Sequence, residues 1–446
     1  MSTEVLSPPS PAGPTGTPDR AAVRRINLAS MAGTTIEYYD YFIYGTAAAL
    51  VFGKVFFPGA GAVVGALAAF GTFAVVFVFR PVGSVLFGHI GDRLGRKRTL
   101  ILTLMMMGLC TVAVGLLPGA ATIGVAAPIL LVVLRAVQGL AVGGEWAGAA
   151  LFASENAPDG RRGRFALYPQ VGATLAFALA AATFLAVDLG IGETSEAFVS
   201  WGWRVPFVLS ALLIGVGLWV RLRTTETPVF TAAAAARTST PRAVPFLEVW
   251  RRQPRTMLLA TGLTTGVFAS MSIASVYLTS YATSSLGMST AGILVIDIIG
   301  SVATVAITAA AAVLSDRFGR RPFVLAGCIA LAVWSLVLFP LIDTRSPLAI
   351  GTGIVVLLGL IGLAYGPLGA YLPEMFSTRH RYTGAGLSYN LGGVVGGAGI
   401  LVAAAPLAAS GWGPIALGLC MAVLLLISVG CLSGLPETRD RSLTAE

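Results

Sequence analysis

The chain has 446 residues, of which 56% are hydrophobic and only 11% charged. A soluble domain carries about 25% charged residues, so a soluble fold is excluded and lipid must be treated as the solvent. The net charge of +9 does not point to nucleic acid, because the basic residues sit in short loops between apolar segments and only two are lysines, Lys54 and Lys97.

Residues 1–26 are rich in Pro, Ser, Thr and Gly, hold no apolar core, and read as a disordered tail and not a signal peptide. Twelve apolar segments long enough to span a bilayer follow, at roughly 28–53, 62–89, 98–118, 124–152, 165–187, 202–221, 257–283, 290–314, 322–342, 347–372, 384–408 and 412–434. The predicted fold is an all-α polytopic membrane protein with twelve transmembrane helices in two six-helix halves. The halves are 27–221 and 257–436, joined by a polar, basic loop at 222–256 and followed by a short tail at 437–446. Loops on one side, with both tails and the central loop, hold 24 of the 29 basic residues. That asymmetry places both termini and the central loop in the cytoplasm, with an even number of spans.

The first segment carries Glu37 and Asp40 inside an aromatic run, with Tyr41 and Tyr44 at helical spacing on the same face. Glu37 is about nine residues in, roughly 14 Å into a ~30 Å hydrocarbon core. Carboxylates at that depth are costly, and a chain that keeps them uses them on a path for protons, ions or substrate, unless they only pair with neighbouring helices. A carboxylate-and-phenol stripe is expected to face a wet cavity. The second segment contributes Arg80, which could pair with Glu145 of the fourth in a structural or gating role.

Between the second and third segments, Gly91-Asp92-Arg93-Leu94-Gly95-Arg96-Lys97 forms a tight basic turn, and it recurs 224 residues later as Ser315-Asp316-Arg317-Phe318-Gly319-Arg320-Arg321. The repeat puts a binding site near the midplane between the halves. It also marks Gly88, Asp92, Arg93, Gly95 and Arg96, with Asp316, Arg317, Gly319 and Arg320, as candidate gate residues that could latch one bundle to the other. The alternative is a positive loop that only sets topology. A weaker echo pairs Ser154-Glu155 with Pro373-Glu374.

On the fourth segment Arg135 and Gln138 share a face with Glu145. Arg135 could hold an anionic substrate bidentately or serve as counter-ion to Glu37 or Asp40. In the second half, Asp297 is a second titrating group or a pairing residue. Tyr389 and Asn390 open a Gly-rich stretch and could touch substrate, although the glycine run itself reads as helix packing. The four cysteines lie in or beside apolar runs without a CxxC pair, and there are just two histidines, so neither a disulfide frame nor a His-based metal site is expected. No Walker loop, HExxH or GxSxG occurs, which argues against a membrane enzyme.

At the residues just quoted the chain resembles the major facilitator superfamily. Gly88-His89-Ile90-Gly91-Asp92-Arg93-Leu94-Gly95-Arg96-Lys97 is similar to its signature loop, and Arg135-Ala136-Val137-Gln138-Gly139 to its fourth-helix pattern. The second copy of the loop departs, with Ala312 where the first has Gly88, so looser packing is expected there. Gly33 to Gly45, Arg80-Pro81-Val82-Gly83, Gly143-Gly144-Glu145-Trp146 and Ser200 to Phe207 resemble the metabolite:proton symporter family, with Tyr38 where that family usually has Trp. The resemblance implies proton-coupled import of a small polar metabolite, with protons as the coupling ion and no cofactor. A carboxylate such as shikimate or a dicarboxylate is the implied cargo. A proline/glycine-betaine symporter, or an exporter or uniporter on the same fold, is the alternative. A monomer is the expected state, although oligomerisation is unreadable from the residues.

Overall fold

The computed structural model describes residues 20–94, 96–143, 145–155, 157–158, 160–192, 195–223, 245–377, 380–408 and 411–441. Among them there is no β-strand. In lipid every backbone N–H and C=O must be satisfied within its own segment, and helices do that. The helices are α1 (Arg20–Ala47, continued by a π turn at Ala48–Phe52 and by Gly53–Phe56), α2 (Gly61–Leu94), α3 (Arg96–Leu116) and α4 (Ala126–Val142, resumed as Glu145–Glu155). They continue with α5 (Arg162–Ile191), α6 (Val205–Arg223), α7 (Pro254–Ser272, a π turn at Ile273–Tyr277, then Leu278–Ser284) and α8 (Thr290–Phe318). The last four are α9 (Arg320–Ile342), α10 (Pro347–Met375), α11 (Arg381–Gly392, a π turn at Gly393–Ala398, then Gly399–Ala408) and α12 (Pro414–Ser433). Among the described residues ten helices are long and apolar enough to cross a membrane; α1 and α3 complete the twelve of the expected fold.

Local chemistry sets the ends. Ser289 caps α8 by accepting from the Gly292 N–H at 3.2 Å. α7, α10 and α12 begin with Pro, whose missing N–H costs nothing there. Between α8 and α9, Gly319 adopts φ 99°, a conformation that an L side chain rarely takes. Twofold repetition is visible in the backbone: the π turns of α1 and α7 lie 225 residues apart, matching the loop repeat.

Several boundaries differ from the sequence reading. α1 already starts at Arg20, so residues 20–26, expected in the tail, are helical. Within 222–256 a short helix, Pro245–Arg252, precedes α7, while 224–244 lie outside the described residues. It carries a strong apolar face, which packs Val249 into the core. Residues 436–441 pack back against the helix ends, with Thr438 fully buried.

The halves meet along two seams, α5 against α8 and α2 against α11. Glycines allow the close approach that membrane helices rely on. A Cβ at Gly83 of α2 would overlap the Leu140 carbonyl of α4. The looser packing expected at Ala312 is not found. Ala312 is fully buried, and glycines on both neighbours bring those helices up to its backbone: Gly163 of α5 lies against its carbonyl and Gly366 of α10 against its N–H.

Candidate transport site

α1 and α12 place the two described chain ends on one face, here the terminal face. From it the side chains of interest fall into three layers.

The innermost layer is built on Asp40 of α1, which is 5% exposed. Its carboxylate accepts from the Thr111 hydroxyl of α3 and from the Gln138 amide of α4, at 3.1 Å to each oxygen. Arg135, fully buried one turn away on α4, donates to Gln138 Oε1 at 2.9 Å and stands 3.7 Å from Asp40 Oδ2. Its guanidinium lies over the Tyr44 ring at 3.7 Å, a cation–π contact in a dry setting. Its Nε and Nη2 have no hydrogen-bond partner. At 3.7 Å the attraction to Asp40 is about 4 kcal/mol for an effective dielectric of ~20. The geometry therefore makes Arg135 the counter-ion of Asp40, one of its two expected roles, and leaves two donors for the other.

Tyr44 donates to Thr72 at 2.8 Å, and Tyr41 packs on Phe73 and Phe77 and faces Ser272 of α7. The α1 stripe is thus brought together as expected, but it does not face a wet cavity. Glu37, Asp40, Tyr41 and Tyr44 are all at most 5% exposed, because aromatic rings fill the space between the halves. Arg80, expected at a gate, lies in this interior, 3% exposed and 5.6 Å from the centre of the Tyr41 ring. The reason is helix length: α2 runs on to Leu94, so Arg80 is fourteen residues, about 21 Å, from its terminal-face end. Glu145 is buried at the start of the second segment of α4.

The middle layer joins the halves through aromatic residues. The Tyr38 hydroxyl of α1 hydrogen-bonds that of Tyr389 of α11, which also meets Tyr365 of α10 at 3.2 Å. Glu37 lies within electrostatic reach of the Tyr38 and Tyr365 hydroxyls. Trp146 of α4 stacks on Tyr389 with ring centres 3.6 Å apart, and donates to Gln170 of α5 at 3.1 Å. Gln170 in turn donates to the Tyr365 carbonyl at 2.7 Å. Asn390 donates to Ser84 of α2 at 2.9 Å and to the Gly143 carbonyl at 2.7 Å. Beside Tyr389 a void of about 10 Å³ remains, lined by Thr264, Val267, Phe268, Met271, Tyr365 and Leu368, room for a water at most. This layer is a closed contact between the halves.

The outer layer lies at the terminal face. Asp316, at the end of α8, accepts from the Gly163 and Arg164 N–H groups at 2.7 and 2.8 Å. Those are orphan donors of the first turn of α5, in the other half, where the helix dipole also favours an anion. Arg320 holds Asp316 at 2.7 Å and Glu374 at 3.4 Å, and Arg162 reaches Glu374 at 3.7 Å. The segment after α12 straps this cluster. Glu437 accepts from the Arg320 and Arg321 N–H groups, Thr438 donates to Glu374 at 2.6 Å, and Arg439 donates to the Arg317 carbonyl at 2.7 Å. A Cβ at Gly319 would run into the Glu437 carboxylate. The second loop copy is thus bound across the halves. In the first copy, 91–97, together with Gly88, lies outside the residues whose side chains are described, which covers Asp92, Arg93, Gly95 and Arg96.

Asp297 stands apart from all three layers, between α7 and α8. Sequence reasoning missed Thr111, Tyr365, Trp146, Gln170, Glu374 and Glu437 as site residues. Trp146 lay inside a stretch already singled out, and Glu374 was half of a repeat echo; nothing local distinguishes Thr111 or Tyr365.

A buried charge pair between helices of one bundle, a sealed contact between two repeated bundles and a latch at their common end describe a two-bundle carrier. The sequence pattern described as Major Facilitator Superfamily matches residues 30–400. The chain belongs to the major facilitator superfamily. Among similar proteins, the inner membrane metabolite transport protein YhjE of Escherichia coli (strain K12) is 39% identical over 424 residues, 94% of this chain and 95% of that one. The shikimate transporter of the same organism is 38% identical over 387 residues, covering 86% and 87%. A proline/betaine transporter of Salmonella typhimurium (strain LT2) is 34% identical over 387 residues, covering 85% and 77%. Among solved structures, the partially occluded inward-open xylose transporter XylE from E. coli superposes with a TM-score of 0.74 at 16% identity, covering 95% and 100%, which speaks for the fold. As a major facilitator protein the chain is a multi-pass secondary transporter of small metabolites and not an enzyme.

Proposed function

We propose that the protein imports a small carboxylate, of the shikimate or dicarboxylate kind, together with protons by alternating access. The observation that carries this reading is the Asp40–Arg135 pair, buried between α1, α3 and α4 of the first half. An ionised carboxylate there is held by Arg135, Gln138 and Thr111. When Asp40 takes a proton, the pair is neutralised on one side and the charge of Arg135 becomes available. Its unpartnered Nε and Nη2 then offer a planar fork to a carboxylate substrate. Loss of the proton restores the pair and expels the anion, so proton and substrate travel together. The terminal face, rich in arginine, is assigned to the cytoplasm, with the central loop and the 437–441 strap on that side, so the closed middle and outer layers block release inward.

A second reading, a zwitterionic osmolyte, is favoured by the rings of Tyr38, Trp146, Phe268 and Tyr389, whose faces suit a quaternary ammonium. Uptake of labelled shikimate, 2-oxoglutarate, citrate, proline and glycine betaine into proteoliposomes under an inward proton gradient tests both. Gradient-driven accumulation of a carboxylate, lost in Asp40→Asn while exchange persists, is the expected result. Accumulation of betaine alone selects the second reading, and undiminished uphill uptake in Asp40→Asn refutes the coupling role.

A further inference from the structure

Asp297 is a buried carboxyl group that the mechanism above does not use. It lies seven residues into α8, roughly 10 Å from the end opposite the termini, and is 2% exposed. Its Oδ2 receives one long hydrogen bond, 3.4 Å, from Thr279 of α7, and its Oδ1 has no hydrogen-bond partner. Among the described residues no basic side chain pairs with it. The ionisable residues of α9 and α10 all fall in their terminal-face halves, and those of α5 are Arg162, Arg164, Tyr168 and Asp188, near its two ends. On α7, Arg255 is at the terminal face, and Tyr277 stacks on Tyr281, which is itself turned to Asp343 at 2.7 Å. Apolar side chains flank it as well: one turn along, Leu358 of α10 covers Gly300, and the adjacent Ile296 packs on Gly351.

An isolated carboxylate in such a place is far too costly to persist as an anion; it must gain a proton or a cation. A cation needs about six oxygen ligands. The nearby Ser301 hydroxyl is already donated to the Asp297 carbonyl at 2.7 Å, and among the described residues no group of three His, Cys, Asp or Glu side chains comes together to hold a metal ion. A proton needs only Oδ1. The repeat adds a second argument. Counting back 224 residues from Asp297 leads to Phe73, which lies beside Tyr41 and under the Arg135 guanidinium at 5.7 Å. Asp297 thus occupies, in the second half, the counterpart of a position in contact with the charge pair. Thr279 lies two residues beyond the π turn of α7, a hydrogen-bond register shift of the kind frequent at functional sites.

We propose that Asp297 is a second proton-binding carboxyl group, exchanging with the outer solution independently of Asp40. A hydronium ion at the outer face gives up its proton, the Oδ1–H bond forms and water leaves; movement of α7 that admits water to Thr279 reverses the step. This rests on the symport reading for its role in transport but not for its chemistry. The test is infrared difference spectroscopy on the full reconstituted chain between acidic and alkaline bath, without substrate. A protonated-carboxyl C=O band that shifts in D2O is expected to persist in Asp40→Asn and, in that Asp40→Asn background, to be lost on adding Asp297→Asn and to change frequency on adding Thr279→Val, which keeps the carboxyl but removes its hydroxyl partner. A band of unchanged intensity when Asp297→Asn is added to Asp40→Asn overturns the proposal. So does a band unmoved by Thr279→Val, should the Asn variant fail to fold. Absence of proton uptake with shikimate or any of the other panel substrates in wild type would instead sink the symport reading and leave the band to decide on Asp297.

Discussion

Asp316→Asn removes the anion from the junction of α8 and α5 and leaves the central layers untouched. In the closed state the carboxylate accepts two N–H groups from the first turn of α5 and holds Arg320 at 2.7 Å. Losing a helix cap costs about 0.5–2 kcal/mol, and losing the favourable charge at a helix N-terminus about 0.3–1 kcal/mol. Asn keeps one oxygen acceptor, so a net loss of about 1–2 kcal/mol is expected, a factor of roughly 5–30 in the balance between closed and open terminal faces. With substrate bound at the proposed Arg135 site, its affinity should change only through the fraction of protein in the competent state. Turnover in proteoliposomes should therefore fall more than affinity measured by isothermal titration on purified protein. A large loss of affinity with turnover intact would refute the latch. By the 224-residue repeat, Asp92→Asn is expected to act in the same direction.

Arg135→Lys should fail almost as badly as Arg135→Ala in substrate affinity, since Lys keeps the charge but loses the fork and the contact over Tyr44; equal affinity of wild type and the Lys variant would confine Arg135 to balancing Asp40. Tyr389→Phe keeps the stack on Trp146 but removes hydroxyl bonds to Tyr38 and Tyr365, worth about 0.5–1.5 kcal/mol each. In a background without the four native cysteines, alkylation of a cysteine placed at Val267, which lines the void beside Tyr389, should accelerate, and an unchanged rate would show that the ring stack alone seals the middle layer. Glu437 gives a pH dependence. Burial raises its carboxyl, but the backbone N–H groups of Arg320, Arg321, Arg439 and Thr438 outweigh that and hold it below its ordinary value of 4.5. A depressed value means stabilisation that is complete above the ordinary value and lost as pH falls through the folded one, so thermal stability should drop as pH falls below the ordinary value of 4.5, more steeply in wild type than in Glu437→Gln. Parallel curves would show that the strap is not held by that charge.

Much of this protein was legible before any helix was placed. Lipid forces backbone satisfaction within each segment, so apolar runs of sufficient length report twelve helices by composition alone. The Asp92 and Asp316 loops reported the twofold repeat, and helical spacing put Glu37, Asp40, Tyr41 and Tyr44 on one face. Spacing along one helix says nothing about what stands opposite it. That Arg135 meets Asp40 and not Glu37, that Thr111 of α3 completes the pair, and that Tyr38 reaches Tyr389 across 351 positions are facts of packing between helices. The same holds for Arg80, whose depth depends on how far α2 continues beyond the apolar run, and for the segment after α12, which composition reads as a tail. Its acidic and hydroxyl groups find helix ends and Glu374 only once α8, α9 and α10 are side by side. Local pattern fixes what a helix can bury; only the tertiary arrangement decides which buried charges share a neighbour.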